Sequence, residues 1–485
     1  MNEIYNLKLY NSLTGQKELF KPIHKKYVGI YVCGPTVYNN LHLGNCRTFI
    51  SFDIVFRYLK YLGYKVRYVR NITDVGHLEN DLEDKISKKS RIEKIEPMEV
   101  VHKYTLSFHN LLNILNVQPP NIEPTATGHI IEQIDMIKKL IEKNLAYEVN
   151  GSVYFNLKEY EKLYSYGILS KNKIDNLFKK KLNFSLEKKN PQDFSLWKKA
   201  SSSHIMNWNS PWGKGFPGWH IECTVMSTKY LGETFDIHGG GIDLKFPHHE
   251  CELAQAKAIY NNKSNFAHYW MHTNMLTLNG KKMSKSTGNF LEIKDIIQSY
   301  KKPFFPSILR FFMLQSHYRS VMNFSNQGLI NAEKGYNKIM NSIKILKNFS
   351  PKISKKNNNI FDVSHWINDC HKAINDDFNI PLLISYLFKA THFIHSINDI
   401  NIEKHNINLL KKYMIHFVFD ILGLQEKEKK IENNYLSSEK KLRILIHRLI
   451  KFHMEARKQQ NWIISDRIRK ELSYIGISLH DEKLF

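Results

Sequence analysis

The chain is poor in cysteine, short of acidic residues relative to basic ones, and without long apolar runs. Its five cysteines, Cys33, Cys46, Cys223, Cys251 and Cys370, are odd in number and scattered, so a disulfide framework is not expected. Burial or metal binding stays open for each. No uninterrupted apolar stretch approaches the ~20 residues of a membrane-spanning helix. Met1-Asn2-Glu3-Ile4 has no apolar core behind a basic patch, so no secretory leader is expected. A cytoplasmic protein without membrane contact follows as the expectation. No internal repeat is apparent. Acidic residues number 46 against 70 basic ones, a net charge of +24. Such an excess favours a polyanionic partner and salt-sensitive binding, although lysine is abundant even along plain surface.

What is present describes a multidomain globular protein. The 485 residues are 42% apolar and 24% charged, which suits a soluble chain of about two to four domains. Tyr27–Cys33 is short, apolar and ends in a Gly-Pro turn, as a buried strand does. From about Asn45 to Leu62 the pattern is helical, with Phe49, Phe52, Phe56 and Leu59 on one face and Gly63 as the stop. Lys65–Ile72 reads as the next strand, completing a βαβ unit. Residues 121–210 are mixed and lysine-rich, as in an insertion. Strand signals return over Gly218–Ile237, followed by Gly239-Gly240-Gly241, Asp243 and a helix opened by Pro247 and running to Tyr260. Leu276–Leu278 with Asn279-Gly280 resembles a hairpin feeding a loop. Beyond residue 310 the pattern is almost wholly helical, and Ser350–Asn359 and Glu426–Lys441 are the linker candidates.

Two segments carry the chemistry of an adenylating site. Leu41-His42-Leu43-Gly44-Asn45 opens the first helix, where backbone N–H groups and the helix dipole favour phosphate. Gly44 leaves that approach clear, and His42 can donate to a phosphate oxygen. Lys282-Met283-Ser284-Lys285-Ser286, followed by Thr287-Gly288-Asn289, places two lysines on a loop suited to closing over departing phosphates. The bland readings are a histidine that merely caps its helix and a solvated basic turn. Both segments, in this order, resemble the "HIGH" and "KMSKS" signatures of class I aminoacyl-tRNA synthetases. The resemblance implies ATP and Mg²⁺, with His42, Asn45, Lys282 and Lys285 catalytic and Lys285 stabilising the transition state. The family's second histidine is replaced by Asn45, a neutral amide donor.

His248 and Glu252 stand four apart, on one face of a helix and within reach of one ion. A doubly wound sheet would bring Cys33 and Cys223 toward the same crevice, giving a zinc-type set of two thiolates, an imidazole and a carboxylate. These four match, residue for residue, the zinc ligands of cysteinyl-tRNA synthetases. The supporting strings are Cys-Gly-x-Thr-Val-Tyr, Trp219-His220-Ile221-Glu222-Cys223 and Phe246-Pro247-His248-His249-Glu250-x-Glu252. The resemblance spans Leu7 to about Leu479. It implies one zinc per subunit, and it places Thr73 and Trp219 beside the amino acid. ATP would be held by His42, Gly44, Asn45, His238, Gly239, Asp243, Lys282 and Lys285. Zinc would select a thiol where a pocket alone separates cysteine from serine poorly. Cys46 and Cys370 read as core or surface thiols, and Cys251 as facing away from the ligands. His249 either assists the metal from behind or packs.

The fold expected is α/β: a doubly wound Rossmann-type catalytic domain with an insertion, then an all-α bundle and a small anticodon-binding domain. The segments are 1–120 (first half), 121–210 (connective insertion), 211–265 (second half with zinc ligands), 266–330 (KMSKS subdomain), 331–425 (helical bundle) and 426–485 (anticodon-binding region). Ala373–Pro381 and the stretch from Glu455 resemble the family's helical regions. Arg457, Arg467 and Arg469 face RNA in this reading, and Trp462 packs. The reaction implied joins L-cysteine to tRNA(Cys) with ATP, carried out by a monomer. Two rivals remain: a ligase of cysteine with an amino-sugar, which has no need of the basic helical region, and a non-catalytic zinc- and RNA-binding relative, which has no need of the loop lysines. Two departures from the family stand out. An extra Val75–Leu82 loop separates Asn71–Asp74 from Glu83-Asp84-Lys85-Ile86, and no Gly-Thr-x-Trp string precedes Phe485.

Overall fold

Apolar alternation builds the centre of the molecule first. A computed structural model describes residues 6–79, 83–171, 187–201, 204–260, 266–278, 280–282, 289, 291, 296, 305–349, 361–396, 403–427, 446, 449–457 and 459–474. Four strands form a wholly parallel sheet: β1 (Tyr27–Val32), β2 (Lys65–Arg70), β3 (Phe235–Gly241) and β4 (Ala267–Thr273). Their spatial order is β4-β3-β1-β2. Register is set by pairs such as Ile30 with Tyr68 and Ile237 with Ile30. The chain moves outward in opposite directions from β1 and β3, so the crevice between their carboxyl ends is the switch point at which ligands bind in such sheets.

Three helices carry side chains to that crevice. Helix α1 (Leu43–Tyr61) buries Phe49, Phe52, Phe56 and Leu59 against the sheet, as the periodicity predicts. Helix α2 (Trp219–Leu231) and helix α3 (Glu250–Tyr260) pack on each other. The strand expected over Gly218–Ile237 is therefore corrected. Residues 219–231 are helical, and only Phe235 onward is extended. The cause is burial: Ile221 to Ser227 are all buried, so the stretch has lost the polar stripe that would mark a helix. The three glycines lie inside β3 rather than after it.

Between the two halves of the sheet, residues 146–217 include a four-stranded antiparallel sheet ordered Gly215–Pro217, Phe194–Lys199, Ser152–Phe155, Ala146–Val149. Its edge strand hands the chain directly to Gly218, the N-cap of α2. After the parallel sheet come helices Pro306–Leu314, Asn326–Asn348, Val363–Asn375, Ile380–His395 and Lys404–Ile415. Asp53 on α1 binds this region through charge. It accepts from Arg57 Nε at 2.7 Å, from Gln118 N at 2.8 Å and from Arg310. Arg310 also donates to the Leu422 carbonyl at 2.7 Å and the Leu115 carbonyl at 3.1 Å.

Residues 426–485 form a separate compact unit. Within it, the helix Trp462–Tyr474 bears Ser465, whose carbonyl lies 3.1 Å from His453 Nδ1. Trp462, expected to pack, is 54% exposed, with Arg457 5.9 Å from its ring. Among the described residues, no helix is long and apolar enough to cross a membrane.

Candidate active site and metal centre

Cys33 leaves the end of β1, Cys223 lies one turn into α2, and His248 and Glu252 flank the start of α3. The fold brings one ligand atom from each within 4.8 Å of the others, all buried. Cys33 Sγ lies 3.9 Å from Cys223 Sγ and 3.6 Å from Glu252 Oε1, and His248 Nε2 lies 3.0 Å from Glu252 Oε1. A tetrahedral ion with bonds of about 2.0–2.3 Å needs donor atoms roughly 3.3–3.8 Å apart, so the four residues fit a single small divalent cation.

The charges agree with that fit. Among the described residues, the ion-pair partners of the fully buried Glu252 carboxylate are His238 at 2.8 Å and His248, both histidines. Burial would push the Cys223 thiol up, but the Cys33 hydrogen bond and His248 bring it down to about 6. Burial would push the His248 imidazole down, yet Glu252 and Cys223 raise it to about 10. Cys33 is raised by burial and by its bond to Cys223. The surroundings thus favour an anionic thiol and an anionic carboxylate about one positive charge, which a divalent cation would supply.

A ring of histidines supports the set. His238 holds Glu252 Oε2 and stacks on Trp270 at 4.4 Å. His249 Nε2 sits 3.3 Å from Cys33 Sγ, while its Nδ1 meets His272 Nε2 at 2.9 Å, so it faces the thiol instead of merely packing. His220 Nδ1 lies 2.9 Å from His248 Nδ1. Sequence reasoning assigned no role to His220 or to Glu222, a buried carboxyl bonded to Thr73 and pushed up by burial and by Cys223. Both stand inside the Trp219–Cys223 string, whose i, i+4 spacing on a helix was the available signal. Cys251 lies against the Tyr166 hydroxyl at 3.4 Å, away from the ligands, and Cys46 and Cys370 are core thiols.

Three of the four donors, Cys33, Cys223 and His248, line a cavity of about 810 Å³. Its lining also includes Thr73 and Trp219, and His42, Gly44, Asn45 and Asp243. His42 is the N-cap of α1. Its Nδ1 accepts from Gly44 N at 3.1 Å, and its own N–H meets Asn45 Oδ1 at 3.4 Å. It thus caps the helix and lines the cavity together, with Asn45 completing a reciprocal capping box. His238 and Gly239 are fully buried and do not line this cavity; a Cβ on Gly239 would lie 2.1 Å from the Phe52 ring. The backbone of Lys282 ends the short strand Lys281–Lys282, paired with Thr277–Leu278. The Lys282 side chain, Lys285 and the rest of 283–288 lie outside the described residues.

The fold and this site define a class. Residues 19–334 match the family model described as "tRNA synthetases class I (C) catalytic domain". Solved structures of the same fold include methionyl-tRNA synthetase of Mycobacterium tuberculosis bound by methionyl-adenylate. It has a TM-score of 0.60 at 10% identity, covering 82% of this chain and 92% of that one. Another is the LeuRS–tRNA–LeuAMS ternary complex of Agrobacterium radiobacter K84, with a TM-score of 0.58 at 11% identity, covering 83% and 85%. Among curated proteins, cysteine--tRNA ligase of Bacteroides fragilis is 48% identical over 490 residues, covering 99% of this chain and 98% of its own. Those of Azobacteroides pseudotrichonymphae and Chlorobaculum tepidum are 47% and 43% identical at similar coverage. The chain belongs to the cysteine--tRNA ligase family.

Proposed function

We propose that this cavity activates L-cysteine with ATP, forming cysteinyl-adenylate and pyrophosphate, and then passes cysteine to the 3′ end of tRNA(Cys). One observation carries this reading: Cys33, Cys223 and His248 of the donor set line the same cavity as a helix N-terminus capped by His42. A zinc ion held by Cys33, Cys223, His248 and Glu252 would supply a Lewis-acidic, sulfur-tolerant site that takes a thiol as thiolate and leaves a hydroxyl poorly bound. Thr73 and Trp219 flank the amino acid. The N-terminus of α1, with His42, Gly44 and Asn45, receives ATP phosphate, and Asp243 faces the adenosine side. The cysteine carboxylate is then placed for in-line attack on the α-phosphorus, with Lys282 and Lys285 neutralising the pyrophosphate that leaves; Mg²⁺ bound to the phosphates would supply further positive charge. For His238 and Gly239 we propose support instead of contact. His238 orients Glu252, and Gly239 admits Phe52 so that α1 can sit against β3.

In this reading residues 1–120 and 211–265 are the halves of the nucleotide fold and 121–210 the connective insertion. Residues 266–330 carry Lys282 and Lys285, 331–425 the bundle and 426–485 the anticodon contact. Arg457, Arg467, Arg469 and the exposed Trp462 suit that last role, since an exposed aromatic beside a guanidinium is a stacking platform for an unpaired base. The five free, buried cysteines and a tRNA partner support a cytoplasmic setting.

The test is cysteine-dependent ATP–pyrophosphate exchange and tRNA charging, each with added zinc and after chelation. Exchange without cysteine dependence, or exchange without charging, would refute the reading. Within it, Lys285→Ala is expected to slow adenylate formation by about 100-fold or more, the usual cost of removing one preorganised donor to departing charge. Single-turnover formation of labelled adenylate measures it, and cysteine affinity should stay unchanged.

A further inference from the structure

The loop that departs from the family pattern is built onto the active site. Gly76, at φ 82°, presses so closely on the Pro217 carbonyl that a Cβ there would stand 2.3 Å from its oxygen. Pro217 is the last residue of the antiparallel sheet's edge strand, two before Trp219. Lys85 N donates to the His77 carbonyl at 3.1 Å, closing the loop's base. The segment is therefore seated on the stretch that delivers Trp219.

His77 is held at both ring nitrogens. Its Nε2 lies 2.8 Å from Lys85 Nζ and its Nδ1 2.7 Å from Thr36 Oγ1. An ammonium only donates, so Nε2 accepts and Nδ1–H donates to the threonine. The imidazole is a neutral, single tautomer with a fixed ring plane. That plane lies 10° from the Trp219 ring, with centroids 4.1 Å apart. Trp219 stacks in turn on the His248 ring at 4.3 Å and 27°. Thr36, His77, Lys85, Trp219 and His248 all line the cavity. A stack thus runs from the extra loop through the tryptophan to a metal ligand.

We propose that His77 is a positioning residue for the amino-acid end of the site: it locks Trp219 against His248, so that the pocket wall is set before cysteine arrives. The inference rests on the reading that cysteine binds beside Trp219. Its physical effect is preorganisation. An indole that samples other rotamers must be ordered at the moment of binding, and that cost appears in the amino-acid affinity while ATP affinity is spared.

The experiment is steady-state pyrophosphate exchange with the unmodified protein, His77→Ala, His77→Phe and Thr36→Val, with bound metal and melting temperature measured on each. His77→Ala is expected to raise the cysteine KM about tenfold, with the ATP KM within about twofold of the parent. Bound metal should stay at the parent stoichiometry. His77→Phe keeps a ring on the indole and should recover most of the loss. Thr36→Val, which leaves the imidazole in place but frees its plane, should raise the cysteine KM by about twofold to threefold. An unchanged cysteine KM in His77→Ala, or cysteine and ATP KM rising together as the protein melts earlier, overturns the inference. If His77→Ala does not fold, an unchanged cysteine KM in Thr36→Val overturns it equally. Failure of the unmodified protein to show cysteine-dependent exchange overturns the functional reading itself, which separates the two.

Discussion

His248→Ala is expected to leave the protein without its metal and to lower cysteine-dependent pyrophosphate exchange by at least about 1000-fold, some 4 kcal/mol of transition-state stabilisation. Cys223→Ser should do the same. The expectation follows from the geometry. Four donor atoms lie within 4.8 Å of one another, so removing one leaves an incomplete set. After the Cys33 hydrogen bond, His248 is the group that draws the Cys223 thiol down, so its loss also weakens the support for the anionic sulfur that a metal needs. Metal content after gel filtration, measured beside exchange activity, decides the matter. Circular dichroism confirms that the fold survives, since α2 and α3 also pack through other buried residues. A variant without metal that still activates cysteine would remove the donor set from the mechanism.

Asp53→Ala is expected to be the most destabilising single change outside that centre, at about 3–5 kcal/mol. Asp53 and Arg310 are both fully buried, and Arg57 is nearly so. Deleting the carboxylate leaves two guanidinium groups facing each other without a counter-charge, and it strips the Gln118 N–H of its acceptor. The pair also holds α1 to the Leu422 and Leu115 carbonyls through Arg310, so the helix whose N-terminus lines the cavity is loosened at its far end. Chemical denaturation measures the loss. Asp53→Asn keeps one acceptor oxygen but turns the other into an NH2 group facing N–H donors, so it should recover only part of the loss. A wild-type midpoint in Asp53→Ala would show that the arginines find other acceptors.

The parts of the site read from sequence are those whose residue types are chemically narrow. A histidine before a glycine at a helix start and a His-x-x-x-Glu pair permit few uses once the strings around them are read as well, and the structure puts His42 on the cavity and His248 against Glu252. The two loop lysines were read in the same way, and their side chains lie outside the described residues. Helix α1 was legible for the same kind of reason, because one face of it meets the core and leaves a 3.6-residue record of Phe49, Phe52, Phe56 and Leu59. Residues 219–231 were misread as strand because that record vanishes when a helix is buried on most sides. The support given by His220 was hidden, His238 was read toward ATP instead, and for His249 the sequence left metal support and packing open, since a histidine that orients a ligand has the same letter as one that packs.

By itself, then, the sequence determined which donors exist, their order along the chain, and where a helix start and a basic loop would offer charge to phosphate. Only the tertiary structure decided that Cys33 and Glu252, 219 residues apart, meet at 3.6 Å, and that His77 lies flat against Trp219. Local pattern records whether a side chain is buried. Which distant side chain it is buried against depends on strand order and helix packing, and those are settled by the chain as a whole.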